Sequence, residues 1–200
     1  AAAPHVPVTL VFLEGCGDCE NYGADLADIG FKAPVDLARS IDLKVLLVDG
    51  AIEKGLGTPA LHKFAACAGS MPKDYDSELT WFKAFLCAHA DPKRSHKCDK
   101  LRQAMPKKAF KFIQECEDDD NRSSRLVKEM HREAASREAG SFPWVDVAGK
   151  VLPPPDEDED DVRPTLHAVC EAIGKSAPSG CHAIPRHMSG EEEEEYDMED

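Results

Sequence analysis

The chain has 200 residues, 42% of them hydrophobic and 31% charged, which is ordinary for a globular domain and enough to bury one substantial core. Its net charge of −14 is concentrated: residues 156–161 carry six acids and 191–200 carry eight, leaving 24 acids against 24 Lys and Arg elsewhere. A near-neutral folded part argues against nucleic acid as a partner, since no net basic surface is there to neutralise phosphates, and no run of about 18 apolar residues offers a membrane span.

The first element in the chain is the apolar run 8–13, Val-Thr-Leu-Val-Phe-Leu, which reads as a buried strand. Directly behind it stands Gly15-Cys16-Gly17-Asp18-Cys19, where the strand gives way to a helix running to about Ile29 and stopping at Gly30. At a helix N-terminus the free N–H groups and the positive end of the dipole stabilise a thiolate, the species that attacks a disulfide. Cys16 is therefore the candidate nucleophile, and Cys19, one turn further in, the partner that resolves the mixed disulfide. Half of a zinc site and an inert structural disulfide are the alternatives. Zinc calls for a second pair at similar spacing, and Cys67, Cys87, Cys98, Cys116, Cys170 and Cys181 supply none.

A second buried strand is expected at 44–49, closed by Gly50, and the connecting helix is long enough to make the two strands parallel neighbours. From about 58 to 140 the pattern is helical. Leu79, Phe82, Phe85 and Leu86 share a face; Phe110, Ile113 and Cys116 follow Pro106, a candidate first helical residue; Leu126 and Met130 follow the candidate caps Ser123 and Ser124, with Gly140 as the stop. Trp144-Val-Asp-Val147, a turn at 148–150 and Val151-Leu152 read as a hairpin. A last helix spans about 163–173, with Pro164 at its start and Gly174 at its end. The expected plan is an α/β thioredoxin-like fold with a helical insertion at about 58–140 between the second strand and the hairpin. The domain is expected to cover 1–181, with 182–200 an acidic disordered tail.

Eight cysteines and an even count suit an oxidising compartment, and Asn121-Arg122-Ser123 is a glycosylation acceptor sequence. The start at Ala1 fits a processed precursor and a trimmed chain equally. The eight histidines, His5, His62, His89, His96, His131, His167, His182 and His187, form no i, i+4 pair on one helix face, so surface positions are expected and no metal is assigned.

Several segments together resemble the gamma-interferon-inducible lysosomal thiol reductases (GILT). They are Leu10-Val-Phe-Leu-Glu-Gly-Cys-Gly-Asp-Cys19, Phe85-Leu-Cys-Ala88, Gln114-Glu-Cys-Glu117, Phe142-Pro-Trp-Val-Asp-Val-Ala-Gly-Lys-Val-Leu152, and Leu166-His-Ala-Val-Cys170 with a last Cys181. The likeness runs through residues 8–181, and the Pro-Trp stretch is its most specific piece. The family's Cys-Gln-His-Gly signature is missing: Ile52-Glu-Lys-Gly55, Pro59 and His62 stand there instead. The resemblance implies a cis-proline at Pro143 beside the dithiol, where its backbone pairs with an incoming peptide. It implies a soluble, glycosylated enzyme of acidic endolysosomal compartments that reduces disulfides in unfolding proteins. The expectation for this chain is a monomer, endolysosomal or secreted, that acts on disulfide-bonded protein substrates with a small thiol reductant and needs no organic cofactor. A secretory-pathway oxidase or isomerase and a redox-inert chaperone or binding module, its acidic tail holding cations, are the rival readings.

Two expectations complete the picture. Asp18, a carboxylate beside Cys16, opposes the thiolate, and that opposition fades in an acidic lumen, tilting the site toward reduction there. Of the remaining six cysteines, Cys170 with Cys181 is the first choice of bridge, because 176–180 can fold back on the helix; Cys87–Cys98 and Cys67–Cys116 follow as guesses. Each bridge would add about 2–4 kcal/mol.

Overall fold

The structure, a computed structural model, describes residues 5–48, 59–90, 96–154 and 162–184. The acidic run 156–161, the stretch Ile52–Gly55 where the family signature is missing, and the tail beyond residue 184 lie outside the described residues.

The runs at 8–13 and 44–48 lie in β1 (Val6–Leu13) and β2 (Ile41–Val48), which pair in parallel from Val6 against Ile41 to Leu13 against Val48; Asp49 and Gly50, the expected end of the second strand, lie outside the described residues. They are connected by α1 (Gly17–Asp25), continued by a wider π turn, Leu26–Gly30. After five α-helices among the described residues the chain returns as β3 (Trp144–Val147), antiparallel to β1, and β4 (Lys150–Val151), antiparallel to β3. The order β2-β1-β3-β4, with a helix crossing over between the parallel pair and a C-terminal helix α7 (Arg163–Ile173), is the α/β thioredoxin-like fold. The inserted helices are α2 (Pro59–Gly69), α3 (Thr80–Ala90), α4 (His96–Gln103), α5 (Lys107–Asp118) and α6 (Asp120–Ser136). Among the described residues no helix is long and apolar enough to cross a membrane.

The central strand explains the layers. Val8, Leu10, Val11 and Phe12 are all at most 1% exposed, so β1 is covered on both faces, as its unbroken apolar run requires. On one face Phe12 meets Phe85 of α3, with ring centroids 6.2 Å apart, and Tyr22 of α1 hydrogen-bonds Thr165 of α7. On the other, Lys44 of β2 reaches Glu133 of α6, which also accepts from Arg137 at 3.0 Å. Arg137 in turn lies over the Trp144 ring at 5.7 Å, so one line of charge and aromatic contacts ties β2, α6 and β3.

Local chemistry decided the ends of several elements differently from expectation. α6 starts at Asp120, three residues before the serines expected to cap it, because Asp119 offers its carboxylate to the Arg122 N–H at 3.0 Å. Ser123 is buried inside the first turn, its hydroxyl donating back to the Asp119 carbonyl. The same helix ends at Ser136 instead of running to Gly140, and Glu138, at φ 50°, takes the left-handed position expected of a glycine. Pro106 stands just outside α5 with extended backbone, not as its first residue. In the hairpin, Ala148 and Gly149 both have positive φ, as a two-residue loop matching the strand twist demands, and Asp146 accepts the Gly149 N–H at 2.9 Å.

Candidate active site

β1 ends in a tight turn: the Cys16 N–H donates to the Leu13 carbonyl at 3.1 Å, with Gly15 third in the turn at φ 77°. That position favours glycine, and it leaves Cys16 as the N-cap of α1. The Cys16 sulfur accepts the Cys19 N–H at 3.1 Å. One of the four orphan donors of the helix terminus is thus aimed at the sulfur, the placement that stabilises a thiolate. Cys16 is half-buried while Cys19 is 0% exposed, and the two are bonded to each other with Cα atoms 5.3 Å apart. Of the two, only Cys16 has surface left to offer another molecule. The inner one can reach only its neighbour.

Pro143 immediately precedes β3, is buried, and follows a cis peptide bond from Phe142. Because Trp144 pairs with Val11 and β3 runs antiparallel to β1, Pro143 lies toward the end of β1 from which Cys16 emerges. The topology therefore brings the dithiol and Pro143 to one edge of the sheet from 127 residues apart in sequence. Asp18 is exposed in the first turn of α1.

The remaining sulfurs are bonded in three pairs: Cys67–Cys116 joins α2 to α5, Cys87–Cys98 joins α3 to α4, and Cys170–Cys181 folds the C-terminal segment onto α7. Gly180 presses against the Val35 carbonyl so closely that a Cβ would overlap it, which allows the segment around Cys181 to lie flat on the loop before β2. Asn121 is exposed near the start of α6. Among the described residues no three His, Cys, Asp or Glu side chains converge as metal ligands. An open cleft of about 400 Å³ lies in the inserted helices, but its cations are engaged, Lys63 with Asp120 and Arg102 with Glu117, and no cysteine lines it.

The expectation that the histidines sit at the surface fails at the site itself. His62 of α2 and His89 of α3 are each 1% exposed. His62 bonds Glu14, two residues before Cys16, at 3.1 Å through Nε2, and His131 of α6 at 2.7 Å through Nδ1. His89 lies 3.1 Å from the Leu13 carbonyl through Nε2 and 3.1 Å from Glu20, directly after Cys19, through Nδ1. Imidazoles with polar partners at both nitrogens can be buried at little cost, which is why these two leave the surface. The inserted helices thus grip the dithiol segment from both sides. Glu14 and Glu20, flanking the two cysteines, were the visible half of this arrangement; their histidine partners lie 48 and 69 residues on.

No family model matches the chain, and neither does any curated protein. Among solved structures it is similar to DsbA of Chlamydia trachomatis, at 16% identity over 83% of this chain and 87% of that one, with a TM-score of 0.48. It is likewise similar to an oxidised mutant of DsbA1, at 15% identity over 90% and 88%, with a TM-score of 0.48. At these identities and TM-scores neither likeness decides anything about this chain, whose thioredoxin-like arrangement is read from its own strand order and register.

Proposed function

We propose that the protein is a thiol-disulfide oxidoreductase that reduces disulfides in protein substrates through Cys16 and Cys19. The observation that carries this is the dithiol at the N-cap of α1, with a half-buried outer cysteine whose sulfur receives an N–H and a fully buried inner partner. In the reduced protein the Cys16 thiolate attacks one substrate sulfur. A mixed disulfide forms, and the other substrate sulfur leaves and takes up a proton. Cys19 then gives up its proton and attacks Cys16, closing the Cys16–Cys19 bond and releasing the second substrate thiol. Two electrons pass to the substrate, and two molecules of a small thiol restore the dithiol by the reverse exchange. Pro143, at the same sheet edge, offers backbone but no N–H to an incoming extended peptide.

Three further disulfides in 200 residues support an oxidising extracytoplasmic setting. The order of cysteines and the Pro143-Trp144 stretch, both GILT-like, support an acidic endolysosomal or secreted location and a monomeric glycoprotein modified at Asn121. Running the same exchange backwards gives the oxidase reading; the closed Cys16–Cys19 pair belongs to both cycles and does not choose between them. Turnover of a disulfide substrate at acidic and neutral pH, with Cys16→Ser as control, tests the proposal. Reduction that persists at acidic pH and disappears in Cys16→Ser supports it. Reduction unaffected by Cys16→Ser ends it, and net disulfide formation under the same thiol supply selects the oxidase.

A further inference from the structure

We propose that His89 is a positioning residue for the dithiol: it cancels the charge of Glu20 and thereby sets how readily Cys16 forms its thiolate. The inference rests on the oxidoreductase reading above and deepens it. The Leu13 carbonyl can only accept, so His89 Nε2, 3.1 Å away, carries a hydrogen. On the other side of the ring Nδ1 lies 3.1 Å from Glu20 Oε1, a separation that needs a hydrogen between the two atoms. That hydrogen sits either on nitrogen, giving imidazolium and carboxylate, or on oxygen, giving neutral imidazole and carboxyl. In both cases the His89–Glu20 unit has no net charge.

The consequence falls on Cys16. α1 carries two acids in its first turn, Asp18 and Glu20, and both would oppose a thiolate at the helix N-cap. His89 removes one of them from the balance. It does so from a site 1% exposed between Phe12 and Phe85, at ring centroid distances of 5.9 and 5.8 Å, where charge is poorly screened. The Leu13 carbonyl accepts both the His89 Nε2–H and the Cys16 N–H, so the ring is one shared acceptor away from the nucleophile's own backbone. Among the described residues, Asp18, exposed on α1, and Glu14, which faces His62 of α2 and through it His131 of α6, are also charged or titratable groups on the turn.

The test is the thiolate absorbance of the protein against pH, reduced gently enough to leave the other three disulfides closed, together with its exchange equilibrium with glutathione. His89→Phe keeps a ring in place but uncovers Glu20. At a pH on the rising limb it is expected to lower the ratio of thiolate to thiol about threefold or more, and to move the glutathione equilibrium toward the protein disulfide. Adding Glu20→Gln to it is expected to return most of that change, which loss of packing alone would not do. An unchanged titration in His89→Phe, or a double variant displaced as far as the single, overturns the inference. Should His89→Phe fail to fold, Glu20→Gln alone decides: it is expected to raise the thiolate fraction by less than Asp18→Asn does, and an equal or larger rise overturns the inference. A wild-type dithiol that titrates but never exchanges with glutathione would instead sink the oxidoreductase reading, leaving the charge cancellation standing.

Discussion

Closing the 49-residue separation between Cys67 and Cys116 is the largest single constraint on the unfolded chain in this protein. In the chain-entropy picture a loop of that length removes about 14 cal/mol/K from the denatured ensemble, or about 4 kcal/mol of stability at about 25 °C. The Cys87–Cys98 and Cys170–Cys181 loops, with separations of 11 each, give about 2.8 kcal/mol apiece by the same relation. Packing acts in the same direction, because Cys67 and Cys116 are both 0% exposed whereas Cys87, Cys170 and Cys181 are only half-buried. Replacing Cys67 and Cys116 together by alanine is therefore expected to cost about 4 kcal/mol or more and either short-loop pair about 1 kcal/mol less. Guanidinium unfolding under non-reducing conditions measures this directly: with a slope of about 4 kcal/mol/M the long-loop variant loses about 1 M in midpoint. A smaller loss for the long loop than for either short one would refute the reasoning and place the stabilisation in local packing.

Three further outcomes are expected. Asp76 is 3% exposed and accepts from the Thr80 and Trp81 N–H groups at 3.1 and 2.8 Å and from the Thr80 hydroxyl at 2.7 Å, so Asp76→Ala should cost about 2–4 kcal/mol in chemical unfolding, with Asn recovering part of it. At Glu133 burial pushes the carboxyl up, but hydrogen bonds and charge from Lys44 and Arg137 outweigh it and hold the group below the ordinary carboxylate range. A lowered folded-state value means stability that is present above the unfolded value and lost as pH falls through the folded one. The melting-temperature gap between wild type and Glu133→Gln should accordingly be open near neutral pH and close in strong acid. Asp18→Asn should flatten any preference of disulfide reduction for acidic pH, and an unchanged pH–rate profile would remove Asp18 from the mechanism.

What could be seen in the sequence was what depends on near neighbours. The unbroken apolar runs ending at Leu13 and Val48 are legible because a strand covered on both faces needs apolar residues at every position, and the hairpin because Gly149 follows Ala148 between alternating residues. Helix ends were harder. Asp119, Asp120, Asn121, Ser123 and Ser124 all have capping side chains, and the choice among them was made by where α5 ends: Asp119 closes one helix and opens the next. The buried histidines were not legible at all. Their placement depends on Glu14, Glu20 and a backbone carbonyl brought to them by the packing of α2 and α3 on the sheet, and no spacing rule carries that information.

The inserted helices are consequently part of the site and not an appendage to it. His62 stands five residues before Cys67 on α2, and His89 two residues after Cys87 on α3. Each helix that sends a histidine to the dithiol segment is thus also anchored by a disulfide, α2 to α5 and α3 to α4. A hydrogen bond to a mobile helix has to offset the entropy of ordering that helix each time it forms. Once a covalent tether limits the helix's freedom, little of that cost falls on the bond, and the imidazoles stay in register with Glu14, Leu13 and Glu20 while the Cys16–Cys19 bond opens and closes. The bridges that do no redox chemistry in the proposed cycle therefore act on it through geometry: opening Cys87–Cys98 should loosen the His89 contact and carry the Cys16 titration in the same direction as His89→Phe.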